Sequence, residues 1–156
     1  MQNNINIRET NERDHSFIFG LSSTLAEVAQ LEWHDDAVVQ KMQDNYISKM
    51  LAKASEPNIT FIAEIDQKPM GFIHVRTHKD SISDETCGTI PLLAVCPESQ
   101  GLGIGKALLQ IAENWAKDLG CRLLHLEVFA NNTNAKGFYK NVGFLPETLH
   151  MVKPIK

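Results

Sequence analysis

Val95-Cys96-Pro97-Glu98-Ser99-Gln100-Gly101-Leu102-Gly103-Ile104-Gly105-Lys106-Ala107 sets three glycines between two strongly patterned segments. Upstream, Thr86 to Val95 is rich in apolar residues and reads as a central strand. Pro91 within it removes a ladder donor and predicts a bulge or an edge position there. Downstream, Ile104, Leu108, Ile111, Ala112, Trp115 and Leu119 recur at helical spacing, and Gly120 stands where a C-terminal cap belongs. A strand, a glycine-rich turn and a helix therefore follow one another. Glycines there let the backbone come close to a ligand and leave N–H groups free at the helix N-terminus, where the dipole favours an anion.

Two phosphate loops are excluded by residue identity. A Walker loop needs Ser or Thr after its Lys, and Lys106 is followed by Ala107. In a G-x-G-x-x-G fingerprint the last glycine would fall on Lys106 or Leu108. What stands is Gln100-Gly101-Leu102-Gly103-Ile104-Gly105, a Q-x-x-G-x-G.

Outward from the loop the punctuation is short-ranged, at Pro57-Asn58, Lys68-Pro69, Ser81 to Asp84, Asn131-Asn132 and Gly143, which suits one compact domain over residues 1–156. Ile5 and Ile7 alternate as a short strand ending near Arg8. Ile18, Leu21, Leu25 and Val28 predict an amphipathic helix over Glu12 to Gln30, weakened by Gly20. Asp35 and Asp36 open a second helix carrying Val38, Met42, Tyr46, Met50 and Leu51. Ile59 to Ile65 and Gly71 to Thr77 read as a hairpin turning at Gln67 to Met70. Arg122 to Phe129 reads as a strand, Thr133 to Val142 as a short helix, and Phe144 to Val152 as one or two strands. The order β-α-α-β-β-β-α-β-α-β predicts an α/β (α+β) fold with a mixed sheet and helices on both faces.

Composition narrows the function. The 156 residues, 43% of them hydrophobic, suffice for a core without staples. A net charge of −4 with no basic run argues against nucleic acid as a partner. The longest apolar run, Ile90 to Cys96, is far short of the ~20 residues of a membrane helix, and the N-terminus has no signal-peptide pattern. Cys87, Cys96 and Cys121 leave an odd thiol and no C-x-x-C, which points to a reducing cytoplasm rather than a disulfide framework. No histidine pair has helical metal spacing, so no metal site is expected.

Together, Leu93-Ala94-Val95, the Q-x-x-G-x-G, Asn132, Tyr139 and Gly143-Phe144 resemble the GCN5-related N-acetyltransferase (GNAT) superfamily, best over residues 58–145. The resemblance implies a mostly antiparallel sheet of about six to seven strands and acetyl-CoA as co-substrate. Gln100, Gly101, Leu102, Gly103, Ile104, Gly105 and Lys106 would cradle its pyrophosphate. Leu93, Ala94 and Val95 would flank the pantetheine arm, Asn132 would contact that arm, and Phe138 and Tyr139 would lie near the cofactor. Tyr139 matches the family's usual general acid. Glu127, in Leu126-Glu127-Val128, resembles the base of enzymes that acetylate a ribosomal protein's N-terminal alanine. Many lysine-directed members carry a glutamate near position 89, where this chain has Thr89, which weakens a histone-type reading.

The acceptor is then an amine of a small molecule or a protein N-terminus. Trp33, among Glu32, His34, Asp35 and Asp36, offers acids and an aromatic ring to a cation, although the same acids serve as caps and a tryptophan also packs. His74, with Arg76 and His78 on one strand face, either lines the acceptor channel or faces water. A non-catalytic CoA-binding module is the alternative reading. The terminal strand fits both a homodimer contact and a monomer's edge.

Overall fold

The computed structural model describes residues 4–27, 31–52 and 55–156. Five strands form one sheet in the order β1 (Ile5–Glu9), β2 (Asn58–Ile65), β3 (Lys68–Lys79), β4 (Thr86–Val95) and β5 (Leu124–Leu126). The first four run antiparallel to their neighbours, and β5 runs parallel to β4. The expected mixed, mostly antiparallel α/β architecture is therefore present. The strand count is lower than six to seven among the described residues, because residues 145–156 form no strand.

The sheet separates two apolar layers. On one face, Phe61, Ala63, Ile73, Val75 and Ile90 meet Ile104, Leu108, Leu109 and Ala112 of α4 (Ile104–Asp118), with Phe138 and Tyr139 of α5 (Thr133–Asn141) packed alongside. On the other, Ile62, Phe72, Leu92, Ala94 and Cys96 meet Ile18 of α1 (His15–Gly20), Leu21 and Ile47 of α3 (Asp36–Leu51). The stretch expected as a single helix from Glu12 is broken. A turn of 3-10 helix (Glu12–Asp14) leads into α1, and α2 (Ser22–Glu27) restarts after Gly20 and Leu21. Residues 28–30, including Val28 of that expected helix, lie outside the described residues.

Local chemistry explains the element ends. Asp35 caps α3, its carboxylate accepting from the Val38 amide at 2.9 Å. The buried stripe of α3 is Val39, Gln43 and Ile47, one residue round from the expected one, and Val38 and Tyr46 face outward. The hairpin turns at Asp66 and Gln67, both at positive φ, as a two-residue primed turn demands, rather than at Gln67 to Met70. Pro69 instead joins β3 beside a register shift. The bulge expected at Pro91 is present, since His74 pairs with Leu92 but Arg76 with Thr89. Helix α4 ends in a Schellman motif: Gly120, at φ +82°, donates to Lys117 O at 2.9 Å, and Cys121 donates to Ala116 O at 3.0 Å.

The first strand is locked to the loop after it by Arg8. Its guanidinium donates to both Asp14 oxygens at 2.8 Å and to Glu64 at 3.1 Å. Asp14 is buried, and this bidentate partner holds its carboxyl below the usual carboxylate range.

Candidate active site

Strand β4 pairs with β5 over only three residues, Gly88 to Ile90 against Leu124 to Leu126. Past Ile90 the two strands part, and from Leu92 to Val95 the outer edge of β4 has no strand partner among the described residues. Leu124 and Leu126 are drawn under α4 by the apolar core, which holds the parallel pairing at that end while residues 127–132 leave the sheet. The result is a slot that opens toward the glycine loop. The eight-residue strand expected over Arg122 to Phe129 is cut to three because only Leu124 to Leu126 find a ladder partner.

The loop follows directly. Ser99 is buried and its hydroxyl donates to Met70 Sδ at 2.9 Å, pinning the short Pro97–Ser99 turn to β3. Gly101 and Gly103 sit at φ +83° and +84°, a region that non-glycine residues enter only at a cost. Gly103 is the N-cap of α4, and Ala107 N is the first amide of the helix to find a carbonyl, that of Gly103 at 3.1 Å. Among the described residues, the amides of residues 101–106 donate to no protein acceptor. Six free N–H groups thus curl around the positive end of a four-turn helix, the arrangement that binds phosphate oxygens. Gly105 has a different task. A Cβ there would come within 3.3 Å of the Phe138 ring, so this glycine lets α5 close on α4.

Helix α5 brings Tyr139 to the same region. Asn132 caps the helix, its side chain accepting from the Ala135 amide at 3.2 Å. The Tyr139 ring lies 5.5 Å from that of Phe138 and 5.7 Å from that of Phe144. Burial destabilises the phenolate and pushes the hydroxyl up to about 12, so Tyr139 keeps its proton at any physiological pH.

The remaining sequence candidates scatter. Glu127 is exposed, one residue past the end of β5. Trp33 is 43% exposed in the connection before α3. His74 is 3% exposed, and its Nδ1 is 2.7 Å from the Thr60 hydroxyl, which places it inside the fold rather than on a channel wall. Desolvation, with Arg76 nearby, lowers it to about 4, so it is neutral.

A histidine pair lies beyond what the sequence pattern discloses. His125 of β5 stands opposite Thr89, and its Nδ1 is 3.2 Å from Nε2 of His78. The two rings meet edge to face at 4.9 Å, and their other nitrogens are buried without hydrogen-bond partners. Desolvation and His125 both lower His78. The pair lies 47 residues apart in sequence, so only the strand register reveals it. Asp80, Glu85 and Cys87 also bring ligand-type atoms within 4.8 Å. Their carboxylates are already engaged, Asp80 by the Ser83 hydroxyl at 2.7 Å and Glu85 by Arg122.

A family model described as "Acetyltransferase (GNAT) family" matches residues 23–144. The chain belongs to the acetyltransferase (GNAT) family. An uncharacterized N-acetyltransferase of Methanocaldococcus jannaschii is 38% identical over 89 residues, 56% of this chain and 53% of that protein. This chain spans about half the length, or less, of the first such relatives. Among solved structures, a putative acetyl transferase from Pyrococcus furiosus aligns with a TM-score of 0.79 at 24% identity, covering 97% of this chain and 99% of that one. An aminoglycoside N-acetyltransferase in complex with CoA aligns with a TM-score of 0.69 at 20% identity, covering 100% and 97%. Both share the fold of this GNAT chain. None of its helices, among the described residues, is long and apolar enough to cross a membrane.

Proposed function

We propose that residues 1–156 form one N-acetyltransferase domain that moves the acetyl group of acetyl-CoA directly onto a primary amine, in a small molecule or at a protein N-terminus. The observation that carries this reading is the row of free amides at 101–106, on the N-terminus of α4 and beside the unpaired edge of β4. Those amides would hold the pyrophosphate, and the edge at Leu93, Ala94 and Val95 would hydrogen-bond the pantetheine amides as an added strand does. Gln100 and Lys106 flank the same loop. Acetyl-CoA supplies the thioester, and the chain's own work is to position both partners and move two protons.

The first proton leaves the amine. An alkylammonium has a pKa near 10.4 and a peptide N-terminus one near 7.7–8.0, so a base is needed at neutral pH. Glu127, exposed one residue past the end of β5, is the proposed acceptor. The second proton goes to the departing thiolate, and Tyr139, held protonated by burial, is the proposed donor. Replacing Glu127 with Gln is expected to flatten the rise of rate with pH on its acidic side. An unaltered profile would leave Glu127 a surface residue and the base unassigned. All three cysteines have thiols raised by desolvation, which suits a reducing cytoplasm.

The test is a melting curve with acetyl-CoA, CoA or ATP. A ligand at ~100 times its dissociation constant stabilises by ~2.7 kcal/mol, a shift of roughly 5–10 °C at this size. A shift with acetyl-CoA and CoA but not ATP is expected, and no shift with any of them would overturn the reading. Release of CoA in the presence of an amine panel separates an enzyme from a non-catalytic CoA-binding module.

A further inference from the structure

Arg76, Thr89 and His125 stand side by side across three strands. Arg76 of β3 pairs with Thr89 of β4, and Thr89 pairs with His125 of β5. Directly opposed residues project to the same face. Their neighbours Val75, Ile90, Leu124 and Leu126 belong to the apolar layer under α4, so this row faces the other way. It lies one residue before Ile90, the last position at which β4 pairs with β5. On this face the apolar layer beneath α1 and α3 takes up β4 at Leu92, Ala94 and Cys96, beyond the row. All three side chains of the row are half-buried.

Arg76 is a charge without a counter-charge. Among the described residues its guanidinium makes no hydrogen bond and no ion pair. It acts instead on His74 and His78, whose protonated forms it repels. A half-buried guanidinium loses water, and the loss is offset only when an acceptor takes its N–H donors. The same residue lines a cavity. Strand β2 begins at Asn58, opposite Arg76, and the Thr77 amide donates to Pro57 O at 3.0 Å. Past that bond the outer edge of β3 is open among the described residues. There Arg76, His78, Lys79, Thr86 and Glu56 line a cavity of about 290 Å³. Pockets for small ligands begin near that size, at ~300 Å³. Arg76 and Lys79 against the single acid Glu56 make its wall net positive. Lys79 Nζ already donates to Asp84 O at 3.3 Å, which leaves the Arg76 fork to a ligand.

We propose that Arg76 is the anion-binding residue of the acceptor site, and that the acceptor is a small amine carrying a carboxylate or a phosphate. This rests on the acetyl-transfer reading above and names its substrate class. Two oxygens of the anion would take the guanidinium fork side by side. The amine would then lie toward β4 and β5, one strand spacing away at ~4.8 Å, where those strands part. A molecule of a few carbons spans that interval. A polyamine would instead meet Arg76 and Lys79 with like charge.

The test is transfer kinetics on matched amines: β-alanine against propylamine and phosphoethanolamine against ethanolamine, with spermidine as the polycation. At least one anionic amine is expected to exceed its neutral partner ~10-fold or more in kcat/KM, through KM. The pair that shows the preference tells carboxylate from phosphate. Arg76→Gln is expected to bring the ratio close to unity. Arg76→Lys keeps the charge without the fork and is expected to fall between. The acetyl-CoA melting shift of each variant reports an intact fold. Equal use of both members of each pair, a preference for spermidine, or a ratio that survives Arg76→Gln overturns the anion site and leaves the acetyltransferase reading standing. No transfer to any amine overturns the transfer reading instead. The anion site is then decided by the melting shift with β-alanine or phosphoethanolamine alone. A shift that Arg76→Gln abolishes upholds it, and no shift overturns it.

Discussion

Tyr139→Phe should lower kcat by ~10²-fold or more while leaving acetyl-CoA affinity unchanged. The substitution removes one oxygen and keeps the ring between Phe138 and Phe144. Stability and the shape of the slot should therefore persist, and the loss reads the hydroxyl alone. A hundredfold effect corresponds to ~2.7 kcal/mol of barrier, within the range for proton transfer by a positioned side chain. Its pH behaviour is equally specific. The Tyr139 hydroxyl ordinarily titrates near 10, and burial moves it to about 12, so it is protonated and able to donate throughout the neutral and mildly alkaline range. Wild-type rate should then show no alkaline fall below pH 10. Steady-state kinetics across pH, with melting shifts to report acetyl-CoA binding, check both statements. A loss under threefold would make Tyr139 a packing residue of α5, and a parallel loss of acetyl-CoA binding would place it in cofactor recognition.

What the sequence discloses about this fold depends on how local each signal is. Helix α4 is legible because its apolar stripe and its Gly120 cap are both written between Ile104 and Gly120, and its neighbours only confirm them. Asp35 and Asn132 are legible as caps for the same reason. Strand ends are different. Nothing in Arg122 to Phe129 says that pairing stops at Leu126, because that is decided by where β4 is still within reach. The buried face of α3 is ambiguous in sequence because Val38 and Val39 are both apolar, and the packing of Ile47 against Ile18, Leu21 and Ile62 decides which face turns inward. Phe144 to Val152 keeps its strand pattern, but a pattern names no partner. In the loop, Gly101 and Gly103 sit at positive φ, as a tight strand-to-helix turn requires. Gly105 looks the same in sequence, yet it serves the approach of Phe138. The His78–His125 pair depends on the register of β3, β4 and β5 and is invisible before that register is known.

His74 shows how far burial changes what a residue does, and it carries the second large expected effect. A histidine on an alternating strand suggests a channel wall, but this one is 3% exposed beside Thr60 and is driven neutral by desolvation. Unfolded, it would accept a proton near pH 6.5; folded, it resists until about pH 4. The unfolded chain therefore binds more protons in this window, and stability rises with pH. His74's contribution is fully present above pH 6.5 and is lost as pH falls toward 4, amounting to roughly 3 kcal/mol. Carboxylates held low by their partners, such as Asp14 with Arg8, act in the same direction but chiefly below the ordinary carboxylate range. Between pH 6.5 and 5 the loss belongs to His74, with His78 adding to it. Urea denaturation at pH 7.5, 6.0 and 5.0 should show stability falling by roughly 2 kcal/mol over that span. His74→Asn, which can still bond Thr60, should flatten the slope even if its stability at pH 7.5 is lower. A wild-type stability level between pH 7.5 and 5 would mean that the imidazole titrates normally and that the channel-wall reading of His74 has to be reopened.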